Sequence, residues 1–252
     1  MWRNFFIILE FEGRALFSDK PGILRMFIEP LAYLFLLTAG LGSAIANNMD
    51  SSTYISFVYP GILALQAFRT FVHSTYRLTI DRRWGLQALK MAAGTSRCAY
   101  ILGHAIIPIG LCVVQMIITY PCALLLGAVW TIKGFLLLIL VGMISALFWT
   151  ALATVITFSI KKYSQRDFII NFLFLPMSLS APIFYSLEKA PKYLQVIGNT
   201  NPLSYQVNAM REAFLNGYFS VSFCIVAIAS LIMYTIAFKT ISKAEFLPSE
   251  NG

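Results

Sequence analysis

Three basic side chains, Arg69, His73 and Arg77, recur at i, i+4 and i+8 in an apolar run. On a helix that spacing puts them on one face. At about 1.5 Å rise per residue, Arg69 lies near the middle of the run. A guanidinium at that depth costs at least about 2.5 kcal/mol in lipid, so it must face protein or water. Two readings stand side by side. The face lines a polar passage that attracts phosphate or sugar groups of an anionic amphiphile. Alternatively it is neutralised internally, since Glu29 on the preceding apolar run lies at a depth similar to Arg77 or His73. His104, in a third apolar run, reads as a packing histidine.

Other chemistry is sparsely provided for. A membrane-embedded lipid-processing enzyme needs convergent acids, a nucleophile with its base, or a metal cluster. Glu29 is the acid that falls within an apolar run, whereas Asp81, Asp167, Glu188 and Glu212 fall at separate ends. No His-Glu-x-x-His pattern occurs. Cys98, Cys112, Cys122 and Cys224 lie in or beside apolar runs, without disulfide or metal-ligand spacing. No G-x-x-x-x-G-K-[ST] loop is present, so no ordinary ATP site is expected in this chain. A channel or secondary transporter would show inverted repeats and a midplane carboxylate, and neither is evident.

The elements that must carry these residues are membrane spans. The 252 residues are 58% hydrophobic and 12% charged, a membrane composition suited to one polytopic, all-α domain. Six runs reach the roughly 20 apolar residues a span needs. They are about Met26–Ala46, Tyr54–Tyr76, Ala99–Gly127, Gly134–Ile160, Phe168–Leu187 and Tyr218–Phe238. Of the 19 Lys and Arg, 14 fall on the side of the termini and four on the other, with Arg69 between. The positive-inside rule then expects both termini in the cytoplasm. It also explains the net charge of +8 by orientation and lipid attraction rather than by a nucleic-acid surface.

Two further segments are amphipathic. Over residues 1–20, Trp2, Phe5, Phe6, Leu9, Leu16 and Phe17 recur at helical spacing, with Arg3, Glu10 and Arg14 on another face. That predicts a helix lying on the membrane surface. Glu10, Glu12 and Asp19 interrupt the place where a signal-peptide core would be. Over residues 188–217, Leu203, Val207, Met210 and Phe214 form one stripe, with Gln206, Asn208 and Glu212 away from it. Pro202 suits the first turn of that helix, Asn201 suits its cap, and Pro191 suits the start of a shorter helix before it. Tyr185, Tyr193, Tyr205 and Tyr218 are placed to anchor at an interface or to meet sugar or aromatic parts of a ligand.

Several pieces in order, "EPLAYLFLLTAGLG", "YPGILALQAF", "DRRWGLQALKMAAGTSR" and "LPMSLSAPIFYSLEKAPKYLQVIGNTNPLSYQVNAMREAFLNG", resemble the permeases of type-two ABC exporters. The resemblance covers about residues 25–238. It is nearest to the branch exporting polysaccharides, lipid-linked oligosaccharides, nodulation factors and drugs. It implies a coupling helix at about Arg82–Ala92 that docks into a separate ATPase subunit, with Arg82, Arg83, Trp84, Leu86, Leu89 and Lys90 as candidate docking residues. The family often has Gly-Thr-hydrophobic-Glu and then Thr-Pro there, where this chain reads "GLQAL" and then "GTSR". The resemblance also implies two ATPase copies that bind ATP and Mg, and a second, expectedly identical, permease chain. It implies a bacterial cytoplasmic membrane, and short outer helices that shape a gate with Tyr185, Tyr193 and Tyr205. No cofactor is expected in this chain itself.

Overall fold

The computed structural model describes residues 2–18, 20–37, 51–128, 131–160 and 162–243, and among them the regular structure is entirely helical. Helix α1 covers Trp2–Ser18, and α2 covers Lys20–Ala32, continued by a wide π turn over Tyr33–Leu37. Helix α3 covers Ser51–Arg83, the short α4 Leu86–Ala92, α5 Arg97–Leu125 and α6 Ile132–Ser159. Then come α7 over Tyr163–Ser180, a single 3-10 turn at Leu187–Lys189, α8 over Lys192–Thr200, α9 over Pro202–Asn216 and α10 over Val221–Lys243.

Among the described residues, four segments are long and apolar enough to cross a membrane: Tyr54–Arg83, Arg97–Leu125, Ile132–Ser159 and Val221–Lys243. They correspond to the expected second, third, fourth and sixth spans. The first expected span begins in α2, and its residues 38–46 lie outside the described residues. The fifth does not continue as helix to Leu187, because α7 stops at Ser180. Ala181 precedes Pro182, and the proline ring drives the residue before it out of the helical region. Ala181 accordingly sits at φ −72°, ψ 142°.

Prolines inside the helices leave carbonyls that the fold must satisfy elsewhere. Pro30 has no N–H to give to the carbonyl one turn back, at Met26. Gln115 of α5 donates its amide to that oxygen at 2.7 Å. This bond joins α2 to α5 and forms one wall of the site below.

The core lies where α3, α6 and α9 meet. Trp149 of α6 is fully buried, 4.3 Å from the Phe68 ring centroid, and donates its indole N–H to Gln206 at 2.6 Å. Leu203, Val207, Met210 and Phe214 are all buried, as the stripe requires. Helix α9 comes so close to the start of α6 that a Cβ on Gly134 would stand 2.3 Å from the Phe214 carbonyl oxygen. Gln206, expected away from the stripe, is instead buried as the partner of Trp149. A buried indole N–H needs an acceptor, and that need outweighs the polarity of the amide.

Candidate functional site

A cavity of about 610 Å³ opens among α1, α2, α3, α5 and α7. Gln66, Arg69, Thr70, His73, Ser74 and Arg77 of α3 form its polar wall, so the face read from the i, i+4, i+8 spacing is the one that lines it. Ile107, Leu111 and Phe174 supply apolar surface. The cavity lining follows α3 from Gln66 to Ile80, about 21 Å at the helical rise. Arg69 pairs with Glu29 of α2, and both remain partly accessible. The guanidinium also lies 5.3 Å from the Phe174 ring centroid. Internal neutralisation therefore holds for Arg69, and the pair still faces the cavity. The partner of Glu29 is Arg69 rather than Arg77 or His73.

Arg77 belongs to a second constellation at the α4 end of the cavity. Its Nε donates to Glu12 Oε2 of α1 at 3.0 Å. Lys90 of α4 reaches Asp81 Oδ2 at 2.5 Å and Glu12 Oε1 at 3.5 Å. His104 of α5 lies between the two acids, 3.4 Å from Glu12 Oε1 and 3.0 Å from Asp81 Oδ2. The Tyr100 hydroxyl donates to Asp81 Oδ2 at 3.1 Å. Glu12, Asp81 and His104 are all buried, with possible ligand atoms within 4.8 Å of one another. Lys90 Nζ occupies the place a cation would take between the carboxylates. Arg77 and Lys90 balance Glu12 and Asp81 in charge, as buried ions require. The arrangement is an ion-pair network joining four helices, and it pairs Asp81 with Glu12, an acid that the sequence reading did not link to it.

Helix α1 is turned accordingly. Among its described side chains, α1 buries Ile8 and Glu12, whereas Phe11 and Phe17 are exposed; the side chains of residues 2–7, Trp2, Phe5 and Phe6 included, lie outside the described ones. Ile8 fits over Gly103 of α5, where a Cβ would come within 2.7 Å of its side chain. That close approach delivers Glu12 to His104.

The six loop residues singled out in the sequence divide by direction. Trp84 and Leu89 point outward at 73% and 67% exposure, and Arg83 is exposed beside them. Leu86 is half-buried. Lys90 and Gln87 point inward. Arg82 donates to the carbonyls of Thr157 at 2.7 Å and Ile160 at 3.1 Å, closing the end of α6. Arg166 of α7 donates to Thr79 Oγ1 of α3. Basic side chains at this end thus satisfy helix carbonyls and acids before any partner is considered.

At the other end, Asn201 caps α9 by accepting from Leu203 N at 2.9 Å, with Pro202 in the first turn as expected. Its amide also donates to Met177 O at 2.7 Å and Ser180 Oγ at 3.0 Å, tying α9 to the broken end of α7. Arg211 donates to Phe57 O at 3.1 Å and Pro182 O at 2.7 Å, with its guanidinium 3.6 Å from the Phe57 ring centroid. Burial lowers that guanidinium to about 10. The Tyr185 hydroxyl donates to the carbonyls of Leu179 and Ser180, and Tyr205 donates to Asn199 O. Tyr193 is exposed. Of the three expected gate tyrosines, two have their hydroxyls committed to backbone.

The described helices thus enclose a polar internal cavity and carry a short two-sided helix between long apolar spans. Residues 3–215 match the model of the ABC-2 type transporter family, and the chain belongs to that family. It is 25% identical to the candidate transport permease ycf38 of Cyanophora paradoxa over 85% of this chain and 77% of that one. To the ycf38 of Pyropia yezoensis it is likewise 25% identical, over 80% of this chain and 70% of that one. To the polysialic acid transport protein KpsM of Escherichia coli it is 22% identical, over 92% and 88%. Membership makes the chain a multi-pass membrane permease that partners with an ABC ATPase.

Proposed function

We propose that this chain is the transmembrane subunit of an ATP-driven exporter. It moves an amphiphilic substrate, whether polysaccharide, lipid-linked glycan, lipid or drug, out of the cytoplasm or inner leaflet by alternating access. The observation that carries this reading is the two-sidedness of α4. Its outer side offers Trp84 and Leu89 to a partner, and its inner side sends Lys90 to acids of α3 and α1. An aromatic and a leucine projecting from a short helix suit a docking plug. A push on that plug is delivered through Lys90 to two other helices. The polysaccharide-type cargo is favoured by the likeness to a polysialic acid transport protein.

In this reading the permease works as a dimer with a second, identical chain. It has six spans, with both termini in the cytoplasm of a bacterium, and two ATPase copies bind ATP and Mg. The outer helices α8 and α9 shape the exit. The test is Trp84→Ala combined with Leu89→Ala. Co-purification of the ATPase and substrate-stimulated hydrolysis are expected to fall about tenfold or more, while the permease stays folded. Unchanged hydrolysis in a well-expressed double variant would defeat the docking assignment.

A further inference from the structure

Two buried atoms of the ion-pair network face each other unmet. Glu12 Oε1 of α1 and His104 Nδ1 of α5 stand 3.4 Å apart, and neither has a hydrogen-bond partner among the described residues. Glu12 is 5% and His104 6% exposed. Buried polar atoms are normally satisfied, so the gap calls for an account. The other ring nitrogen, Nε2, lies 3.0 Å from Asp81 Oδ2 and 3.4 Å from Lys90 Nζ. Both nitrogens of one imidazole thus look onto carboxylate oxygens, one from α1 and one from α3. A neutral imidazole carries one N–H and one lone pair. Either neutral tautomer therefore sets a lone pair against a carboxylate oxygen, whereas the imidazolium presents a proton to both. Charge pulls the other way. Arg77 and Lys90 already balance Glu12 and Asp81, so a proton on His104 leaves one cation in excess. Hydrogen bonding favours the charged ring and charge balance favours the neutral one.

We infer that His104 is a proton-operated clasp that fastens α1 to the end of α3 beside the short helix α4. With both nitrogens protonated, the ring donates to Glu12 and to Asp81 and ties their helices together. Loss of the Nδ1 proton turns a lone pair toward Glu12 Oε1, and α1 then relies there on Arg77 and Lys90. A route for the proton exists, since Glu12, Arg77 and His104 all line the cavity of about 610 Å³. The groups facing the ring are Glu12 of α1, Asp81 of α3, Lys90 of α4 and Tyr100 of its own helix, with Arg77 behind Glu12. Of the other helices packed on α5, α2 meets it at Gln115 and adds Arg25 and Glu29 to the cavity wall. Helix α6 brings Phe158 against Tyr100, and α10 brings Tyr234 against Cys98. Histidine ordinarily changes charge between about pH 5 and 8. The protonated ring makes both bonds, so the clasp is closed at the acid end of that range and opens as pH rises. A thrust on α4 passes to α1 more firmly when it is closed. That purpose rests on the permease reading, but the clasp itself is measured without the ATPase. Loss of coupling in the Trp84 and Leu89 variant therefore leaves it standing, and failure of the clasp leaves the docking assignment standing.

The experiment uses the full chain in phosphatidylcholine nanodiscs at about pH 6 and about pH 8, the ordinary range of the imidazole. Solid-state NMR of isotope-labelled histidine reads the ring nitrogens, and His73→Gln identifies which signal is His104. Hydrogen exchange of α1, corrected for the intrinsic effect of pH on exchange, reads how firmly that helix is held. His104 is expected doubly protonated at the lower pH and neutral at the higher. Protection of α1 should fall about tenfold over the same interval, the worth of one charged hydrogen bond. His104→Gln gains no charge, so protection of α1 should then stay level between the two conditions. Level protection in the native chain would overturn the clasp, even if His104→Gln failed to fold. So would a ring neutral at both pH values, or the same tenfold fall in folded His104→Gln. A ring charged at both would overturn the proton-operated part and leave a fixed ion pair.

Discussion

Lys90 Nζ lies 2.5 Å from Asp81 Oδ2, so the short helix α4 is fastened to the end of α3 by a buried ion pair. The same ammonium stands 3.5 Å from Glu12 Oε1 of α1. Removing one partner of such a pair leaves an uncompensated buried charge. Lys90→Met is expected to destabilise the chain by about 3 kcal/mol, and Lys90→Met with Asp81→Asn by less than Lys90→Met alone. Thermal unfolding in detergent, followed by intrinsic fluorescence, checks the order. A double variant less stable than Lys90→Met would show that the pair is not the main term.

Gly134 and Gly13 make a matched contrast. At Gly134 an added methyl meets the Phe214 backbone at 2.3 Å, which no side-chain rotation relieves. Gly134→Ala should cost about 2 kcal/mol or more by forcing α6 away from α9. At Gly13 nothing lies within 4 Å. Gly13→Ala should stabilise α1 by up to about 1 kcal/mol through helix propensity. The two thermal midpoints should move in opposite directions.

Asn201 uses its oxygen to cap α9 and its nitrogen to hold α7. Asn201→Ser keeps a cap and loses the tie, whereas Asn201→Ala loses both. The expected losses are about 1 kcal/mol and about 2 kcal/mol respectively. Limited proteolysis near Tyr185 reads the tie, because cleavage there needs the broken end of α7 to come free.

The orientation inferred from the Lys and Arg count is open to direct labelling. In a cysteine-free background, Tyr193→Cys should react with a membrane-impermeant thiol reagent in intact cells. Trp84→Cys should react only after permeabilisation. Both side chains are exposed, so access is not limited by the fold. Labelling of position 84 in intact cells would invert the topology.

Much of the frame was legible because membrane spans and caps are written locally. The four long spans, the stripe from Leu203 to Phe214, the Asn201 cap and the shared face of Arg69, His73 and Arg77 all follow from spacing within one segment. The pairings did not follow, since they depend on how helices rotate against one another. Glu12 entered the sequence reading only as a charge that interrupts a signal-peptide core, yet Ile8 over Gly103 turns it inward to a buried partner. Lys90 was grouped with docking residues, yet a buried Asp81 nine positions earlier draws it in. A usable signal was present: Asp81 follows Arg77 by one helical turn at the end of a span, and Tyr100 and His104 repeat that spacing on α5. The early end of α7 was also visible in Pro182, whose effect on Ala181 is local.

The pairing of Arg69 with Glu29 and Arg77 with Glu12 has a consequence for how the chain is made. Helix α3 is the least apolar of the four spans, with a mean hydropathy of 1.3 against 2.2 to 2.5 for the others. Arg69 and Arg77 burden its entry into the bilayer. Both acids that neutralise them precede α3 in the sequence, so they leave the ribosome first. The insertion machinery therefore meets α3 with its counter-charges already synthesised, and α1 and α2 serve as its cradle during biogenesis. Deleting α1 should then reduce membrane yield by stranding α3, before any question of transport arises.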